Sequence, residues 1–440
     1  MTEPLPSEMD SAEIILPNAR FNFLMLVGDV SCFILGSAFL DAATALPALI
    51  GRLGGDLGLL GVLGSLRQGA YYLPQLFVAH RLQNAPMYLP ILLAITFCGR
   101  IGYFVAGAVV VAFGKTRPDL ALIALVAAYT LGWLGDGGGM VPWTALVGRT
   151  IPARRRGALF AATQTVSGVG KIAVGALVAL LLGGGIVKFP VADGLLVWGC
   201  AFFMAASWIF MTFIRENHPK TPPVDAPPPA PPISLGAYLG SLPRRLRERP
   251  DFARLALVQV LATASVATAP FLWGFVRTAT PGGIPAGDAG KFLIAQTVGL
   301  LVFAPLWGAL SDRFGPRRTL AILLAVSLLW PLLAFAGKFA GGNVLLFYGA
   351  YFVLGGVIEN WITITNYLLE SVPEDDQPTY IGLMNAVSLP ALFLPLIAGQ
   401  CAQSLGADAA LVFATALLAA GLLVTRTLPD TRTLPDTRNR

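Results

Sequence analysis

Seven ionisable side chains interrupt the apolar runs of this 440-residue sequence: Asp29, Asp41, Arg67, Arg100, Asp136, Lys171 and Glu359. A charge held mid-membrane costs about 2.5–3.5 kcal/mol on insertion scales, so groups kept there are expected to have work to do. Four carboxyls against three bases predict that most pair and that one carboxyl is left to take up and release a proton. The bases, in turn, suit an anionic or zwitterionic solute. Spacing supplies neighbours. Glu359, Thr363 and Asn366 recur at i, i+4 and i+7, as do Asp136, Met140 and Trp143, so each helix would carry a mixed polar and aromatic stripe. Arg67 with Tyr71, and Gln164 and Ser167 with Lys171, form similar faces.

The elements that position these groups follow from composition. With 55% hydrophobic and 12% charged residues and a mean hydropathy of +0.70, the chain reads as a polytopic membrane protein. The net charge of +6 sits in short loops between apolar runs, the pattern that orients a membrane protein and not one that binds nucleic acid. Cys32, Cys98, Cys200 and Cys401 are scattered singly, which supports neither a disulfide framework nor a metal site, and no cofactor is expected. The acidic start lacks a signal peptide's basic end, so the first apolar run is expected to remain as a span.

About 20 apolar residues cross roughly 30 Å of hydrocarbon as a helix. Twelve such windows can be drawn: 21–49, 57–79, 87–113, 120–146, 158–182 and 195–213, then 255–275, 292–310, 320–336, 344–369, 380–403 and 409–424. The predicted layout is a cytoplasmic tail at 1–20, a six-helix half at 21–214, a Pro-rich cytoplasmic linker with an amphipathic segment at 215–251, a second six-helix half at 252–425 and a cytoplasmic tail at 426–440. The fold class is thus all-α, with twelve transmembrane helices in two halves. Basic clusters at Arg154–Arg156, 244–249 and 313–318 place both termini in the cytoplasm.

One stretch carries a family resemblance. Gly308-Ala-Leu-Ser-Asp312-Arg313-Phe-Gly315-Pro-Arg317-Arg318 resembles the signature loop of the major facilitator superfamily, with its Asp, Gly and paired basic anchors all in place. The resemblance implies two pseudo-symmetric six-helix halves with the solute site between them near the midplane. It implies that spans 1, 4, 7 and 10 line the cavity, which ranks Asp41, Asp136 and Glu359 first as solute or proton ligands. Arg67 and Lys171 lie on flanking spans, and Arg100 becomes a structural partner of Asp29 or Asp41. Two departures bear on subclass. The span 4 Arg of many proton-coupled members is missing around 131–135, and the span 5 Gly-Pro element of many drug exporters is absent from 168–175.

An internal repeat agrees with two halves. Aligning Ile151-Pro152 with Val372-Pro373 without a gap also aligns Gln164 with Asn385 and Val166-Ser167 with Val387-Ser388. At the corresponding turn of the first half, and outside that gapless register, His80-Arg81 stands opposite Asp312-Arg313 as a degenerate copy. Arg154 and Arg155 fall opposite Asp375 and Asp376, which predicts a gating attraction between the halves when the cytoplasmic side closes. Asp312, Arg313, Gly315, Arg317 and Arg318 are expected to hold the second half's hinge, while the first half relies on another contact.

The expected function is a secondary active transporter working by alternating access, coupled to protons through Asp41, Asp136 or Glu359. The rivals are export of an amphipathic cation with Glu359 and Asp136 as ligands, a non-transporting receptor of the same fold, and a membrane enzyme. The last is disfavoured by having only two histidines, His80 and His218, and no paired carboxylate motif. Expected partners are a small solute, protons and the lipid bilayer, with no nucleic acid. A monomer in the inner membrane of a bacterium is anticipated.

Overall fold

The computed structural model describes residues 18–82, 85–216, 244, 246–372 and 377–430. Every element among them is helical. The first half comprises α1 (Ala19–Phe39), α2 (Ala45–Arg52), α3 (Leu57–Leu82), α4 (Leu89–Phe113), α5 (Pro118–Thr150), α6 (Ala153–Leu182) and α7 (Val191–Thr212). The second comprises α8 (Pro250–Val266), α9 (Pro270–Ala279), α10 (Asp288–Phe314), α11 (Pro316–Ser327), α12 (Leu329–Phe339), α13 (Val344–Val357), α14 (Asn360–Ser371), α15 (Gln377–Val387), α16 (Leu394–Leu405) and α17 (Ala407–Thr425). Ten helical stretches are long and apolar enough to cross a membrane, and the pair α8 and α9, bent by 44°, makes an eleventh. At 26 residues α3 is long enough for the twelfth expected span, but Arg67, Gln68 and Gln75 make it more polar.

Several spans are broken, and the breaks have chemical causes. Pro47 lacks the N–H that would have bonded the Ala43 carbonyl, so the first span stops at Phe39 and restarts as α2. Pro270 divides the seventh span and Pro331 the ninth in the same way. No proline explains the tenth. There the Gly356 carbonyl accepts the Trp307 indole N–H at 2.7 Å, and α13 ends one residue later, with Ile358 and Glu359 outside both helices.

The signature turn lies where α10 meets α11. Gly315 sits there with φ 81° and ψ 159°, a region that favours glycine, while its carbonyl accepts the Thr319 hydroxyl at 3.0 Å. The residues between α10 and α11, α2 and α3, or α6 and α7 define two opposite faces of the bundle, here called the signature face and the opposite face.

Two seams join the halves. In one, α6 meets α10: a Cβ added at Gly290 would stand 2.2 Å from the Ala179 nitrogen and the Gly175 oxygen. In the other, a Cβ at Gly61 would stand 2.7 Å from the Gly399 Cα, and Asp56 accepts from Gln403 at 2.8 Å. Backbones so close need small residues at the interface. Gly157 and Gly308, at the signature ends of α6 and α10, have no other atom within 4 Å of a Cβ position. The described residues of the two halves are therefore in backbone contact on the opposite face and open at these two positions of the signature face.

Candidate functional site

Three of the seven ionisable groups form one network inside the first half. Arg100 of α4 donates to Asp136 of α5 at 3.0 Å and to the Ser207 hydroxyl of α7 at 3.2 Å. Ser207 donates onward to Asp29 of α1 at 2.7 Å, whose other oxygen accepts the Trp143 indole N–H at 3.0 Å. Side chains of Arg100 and Asp136 are only 8% and 12% exposed, so each neutralises what would otherwise be a costly buried charge. Arg100 thus partners Asp136 directly and Asp29 through Ser207, and not Asp41. The expected Asp136, Met140 and Trp143 stripe is corrected accordingly: Asp136 and Trp143 are drawn into the first half's interior, while Met140 is exposed. Trp143→Phe keeps the ring and removes the donor to Asp29. A loss of about 1–3 kcal/mol in unfolding free energy is expected, checked by denaturant unfolding in detergent.

Arg67 has a different environment. Its guanidinium lies 4.3 Å from the centroid of Trp133, which packs edge-on against Tyr71 and Tyr129. The glycine run 135–139 makes this possible, because a Cβ at Gly137 would come within 2.3 Å of the Tyr71 carbonyl. With α3 and α5 in backbone contact there, Arg67 and Trp133 meet one turn earlier on both helices. Arg67 stacks on an aromatic wall and forms no ion pair among the described residues. Lys171 is half-buried on α6, on the face of Gly168 and Gly175 that packs against α10, and has no carboxylate partner among the described residues.

Asp41 and Glu359 both fall at helix breaks, not within continuous helix. Oδ1 of Asp41 accepts from the Ala43 N–H at 3.0 Å and the Thr44 hydroxyl at 2.9 Å, which ties the α1 to α2 corner. The corner reaches into the second half. Gln296 of α10 stands 3.5 Å from Asp41 Oδ2, and Tyr351 of α13 donates to the Ala43 carbonyl that Pro47 left open, at 3.2 Å. Glu359 accepts the Trp361 indole N–H at 2.6 Å. The break before α14 undoes the expected Glu359, Thr363 and Asn366 stripe: Thr363 is buried and Asn366 exposed. Sequence reading missed Ser207, Trp133, Gln296 and Tyr351 because they are neutral. Gln296 in an apolar run was the one available signal.

Comparison with known proteins follows this geometry. The sequence model of the Major Facilitator Superfamily matches residues 255–439. Across nearly the whole chain the backbone resembles a mutant of the nucleoside transporter NupG, with TM-score 0.70 at 13% identity over 92% of this chain and 98% of that one. The second half thus matches that superfamily's sequence model, and the backbone as a whole has the fold of solved transporters. Other solved structures with this fold are equally distant in sequence. A bacterial homologue of the iron transporter ferroportin in an inward-facing state gives TM-score 0.67 at 13% identity, covering 93% and 98%. The POT family transporter PepTSo gives 0.64 at 12%, covering 94% and 99%. A search of curated proteins returns no match. At such identities the structural likeness establishes the fold alone.

The residues expected to gate can now be placed. Asp312, Arg313 and Arg318 are exposed at the signature turn, and Arg317 donates to the Arg426 carbonyl at 2.8 Å, pinning the start of α11 to the end of α17. Arg154 and Arg155 are exposed at the start of α6, whereas Asp375 and Asp376 lie outside the described residues. Of the expected linker over 215–251, residues 217–243 and 245 also lie outside them. The first half has its own staple. Glu216, after α7, accepts the Tyr88 and Leu89 N–H groups at 2.9 Å and pairs with Arg149 at 3.0 Å, its side chain fully buried. Arg149 also lies 3.7 Å over the Tyr88 ring. One acid thereby joins the ends of α4, α5 and α7 where the degenerate His80 turn carries no Asp.

Proposed function

We propose that this protein is a secondary active transporter that moves a small organic anion or zwitterion by alternating access, coupled to protons. One observation carries the reading: of the three intramembrane bases, Arg100 is consumed by Asp136, while Arg67 and Lys171 have no acid partner among the described residues. Two uncompensated cations on α3 and α6, the first-half helices at the two seams, favour a solute that brings its own negative charge. Arg67 offers a planar, stacked donor pair suited to a carboxylate, and Trp133 and Tyr71 give apolar surface beside it. Asp41, the acid nearest both halves, is the foremost proton carrier, ahead of Asp136 and Glu359. The signature face is taken as cytoplasmic, the membrane as a bacterial inner membrane and the working unit as a monomer.

The test is uptake of labelled organic anions, zwitterions and cations into liposomes holding the purified chain, with and without an imposed pH gradient. Gradient-driven anion or zwitterion uptake is expected. Arg67→Gln should weaken solute binding roughly 10- to 100-fold, the worth of one charge-assisted contact, with Arg67→Lys intermediate. Uptake indifferent to the pH gradient would remove the coupling claim, and no flux of any solute would favour a receptor. Glu359 beside Trp361, an acid on an aromatic donor with no cation partner among the described residues, supports a second reading, export of an amphipathic cation. Cation flux lost in Glu359→Gln but kept in Arg67→Gln would select it.

A further inference from the structure

We infer that the anion taken at Arg67 is aromatic: a carboxylate joined to a planar ring, with the carboxylate on the guanidinium and the ring against Trp133, Tyr71 and Tyr129. This rests on the organic-anion reading above and names the substrate class within it.

Arg67 and Trp133 are both half-buried, on α3 and α5. The guanidinium uses one face on the indole, its central carbon 4.3 Å from the ring centroid. Its N–H donors are uncommitted. None bonds to an acceptor among the described residues, and none of its nitrogens is among the buried polar atoms that lack a partner, so they are reachable from outside the protein. Asp136, one turn beyond Trp133 on α5, is held by Arg100 at 3.0 Å and does not compete for them. Stacking fixes the plane of the fork, and its outer edge then offers the parallel donor pair that a carboxylate accepts.

The surroundings decide what the carboxylate is attached to. Tyr71 and Tyr129 meet Trp133 at 76° and 66°, with centroids 5.9 and 6.2 Å away, and Tyr72 stands at 80° to Tyr71. Ring faces and ring edges are thus both presented around one fork, and these are the surfaces another aromatic ring prefers. A saturated acid of equal charge gains only the area it buries. An aromatic one adds about 2- to 12-fold in affinity for each ring it meets. Conjugation helps further, because a carboxylate coplanar with its own ring orients that ring as soon as the fork has bound it, with little rotational freedom left to lose.

The experiment titrates the purified full chain in lipid nanodiscs, by calorimetry, with benzoate, with cyclohexanecarboxylate and with the uncharged benzamide. Benzoate should bind roughly tenfold tighter than cyclohexanecarboxylate, the worth of one to two ring contacts. Trp133→Leu keeps apolar bulk without the ring, and should bring the two acids to within about twofold of each other by weakening benzoate. Trp133→Phe, which restores a ring, should recover most of the preference. A merely structural role of Trp133 would weaken both acids equally and leave their ratio alone. Arg67→Gln should weaken both acids roughly 10- to 100-fold, to the level of benzamide. Equal binding of the two acids, or a preference that survives Trp133→Leu, would overturn the aromatic inference while leaving the anion reading intact. Binding of neither acid, or of benzamide as tightly as benzoate, would remove the anion reading and this inference with it.

Discussion

Arg100→Leu is expected to destabilise the protein by about 3–5 kcal/mol, the cost of leaving a buried charge without its partner. The reason is local and countable. Among the described residues Arg100 is the one base that touches Asp136 and, through Ser207, Asp29, so its removal strands two carboxylates in the interior of the first half. Charge, not shape, is the point, because leucine refills much of the volume. Asp136→Asn in the Arg100→Leu background should therefore recover part of the loss, and the pair should be strongly non-additive in a double-mutant cycle read by thermal or denaturant unfolding. A solute ligand would behave otherwise: stability would hold and binding would fall. Unchanged stability in Arg100→Leu with lost solute binding would thus overturn the structural role of this network and return Asp136 to the cavity.

The same network shows where sequence reading stops. The spans were legible because a bilayer demands long apolar helices, and the signature turn because its Asp, Gly and paired basic anchors match a known loop, whose Gly315 the structure places at a positive φ. The ionisable groups were legible as exceptions, yet their partners were not. Arg100 and Asp136 are 36 positions apart, and nothing local chooses between Asp29, Asp41 and Asp136 for a guanidinium on α4. Breaks divide in the same manner. Pro47 announces the first one in the sequence, since a missing N–H four residues on frees the Ala43 carbonyl. The break at Glu359 has no such signal, because it coincides with an indole that arrives from α10. Charge and helix length are local properties. Pairing and bending across helices are tertiary, and they decide which predicted ligand faces the space between the halves.

Closure itself is the most exposed part of the reading, and Gly290→Leu tests it. At Gly290 a Cβ would meet the Ala179 nitrogen and the Gly175 oxygen at 2.2 Å, and both are backbone, so neither can swing aside. The only relief is to part α6 from α10. Overpacking costs about 1–3 kcal/mol, and here it falls only on the state closed at this face, because the contact joins different halves. A penalty of that size moves a two-state equilibrium by about 5- to 150-fold. Gly290→Leu should therefore fold, hold the opposite face open and lose most transport, with the distance between spin labels at Ile186→Cys and Leu405→Cys, exposed positions of the opposite face in different halves, lengthened. Gly355 supplies the contrast. Its Cβ would meet the Gln296 carbonyl within the second half, a contact common to both states, so a side chain there should lower expression and thermal stability instead of trapping one conformation. If Gly290→Leu transported normally with an unaltered distance, the seam between α6 and α10 would not be a gate, and the one-sided closure would carry no functional meaning.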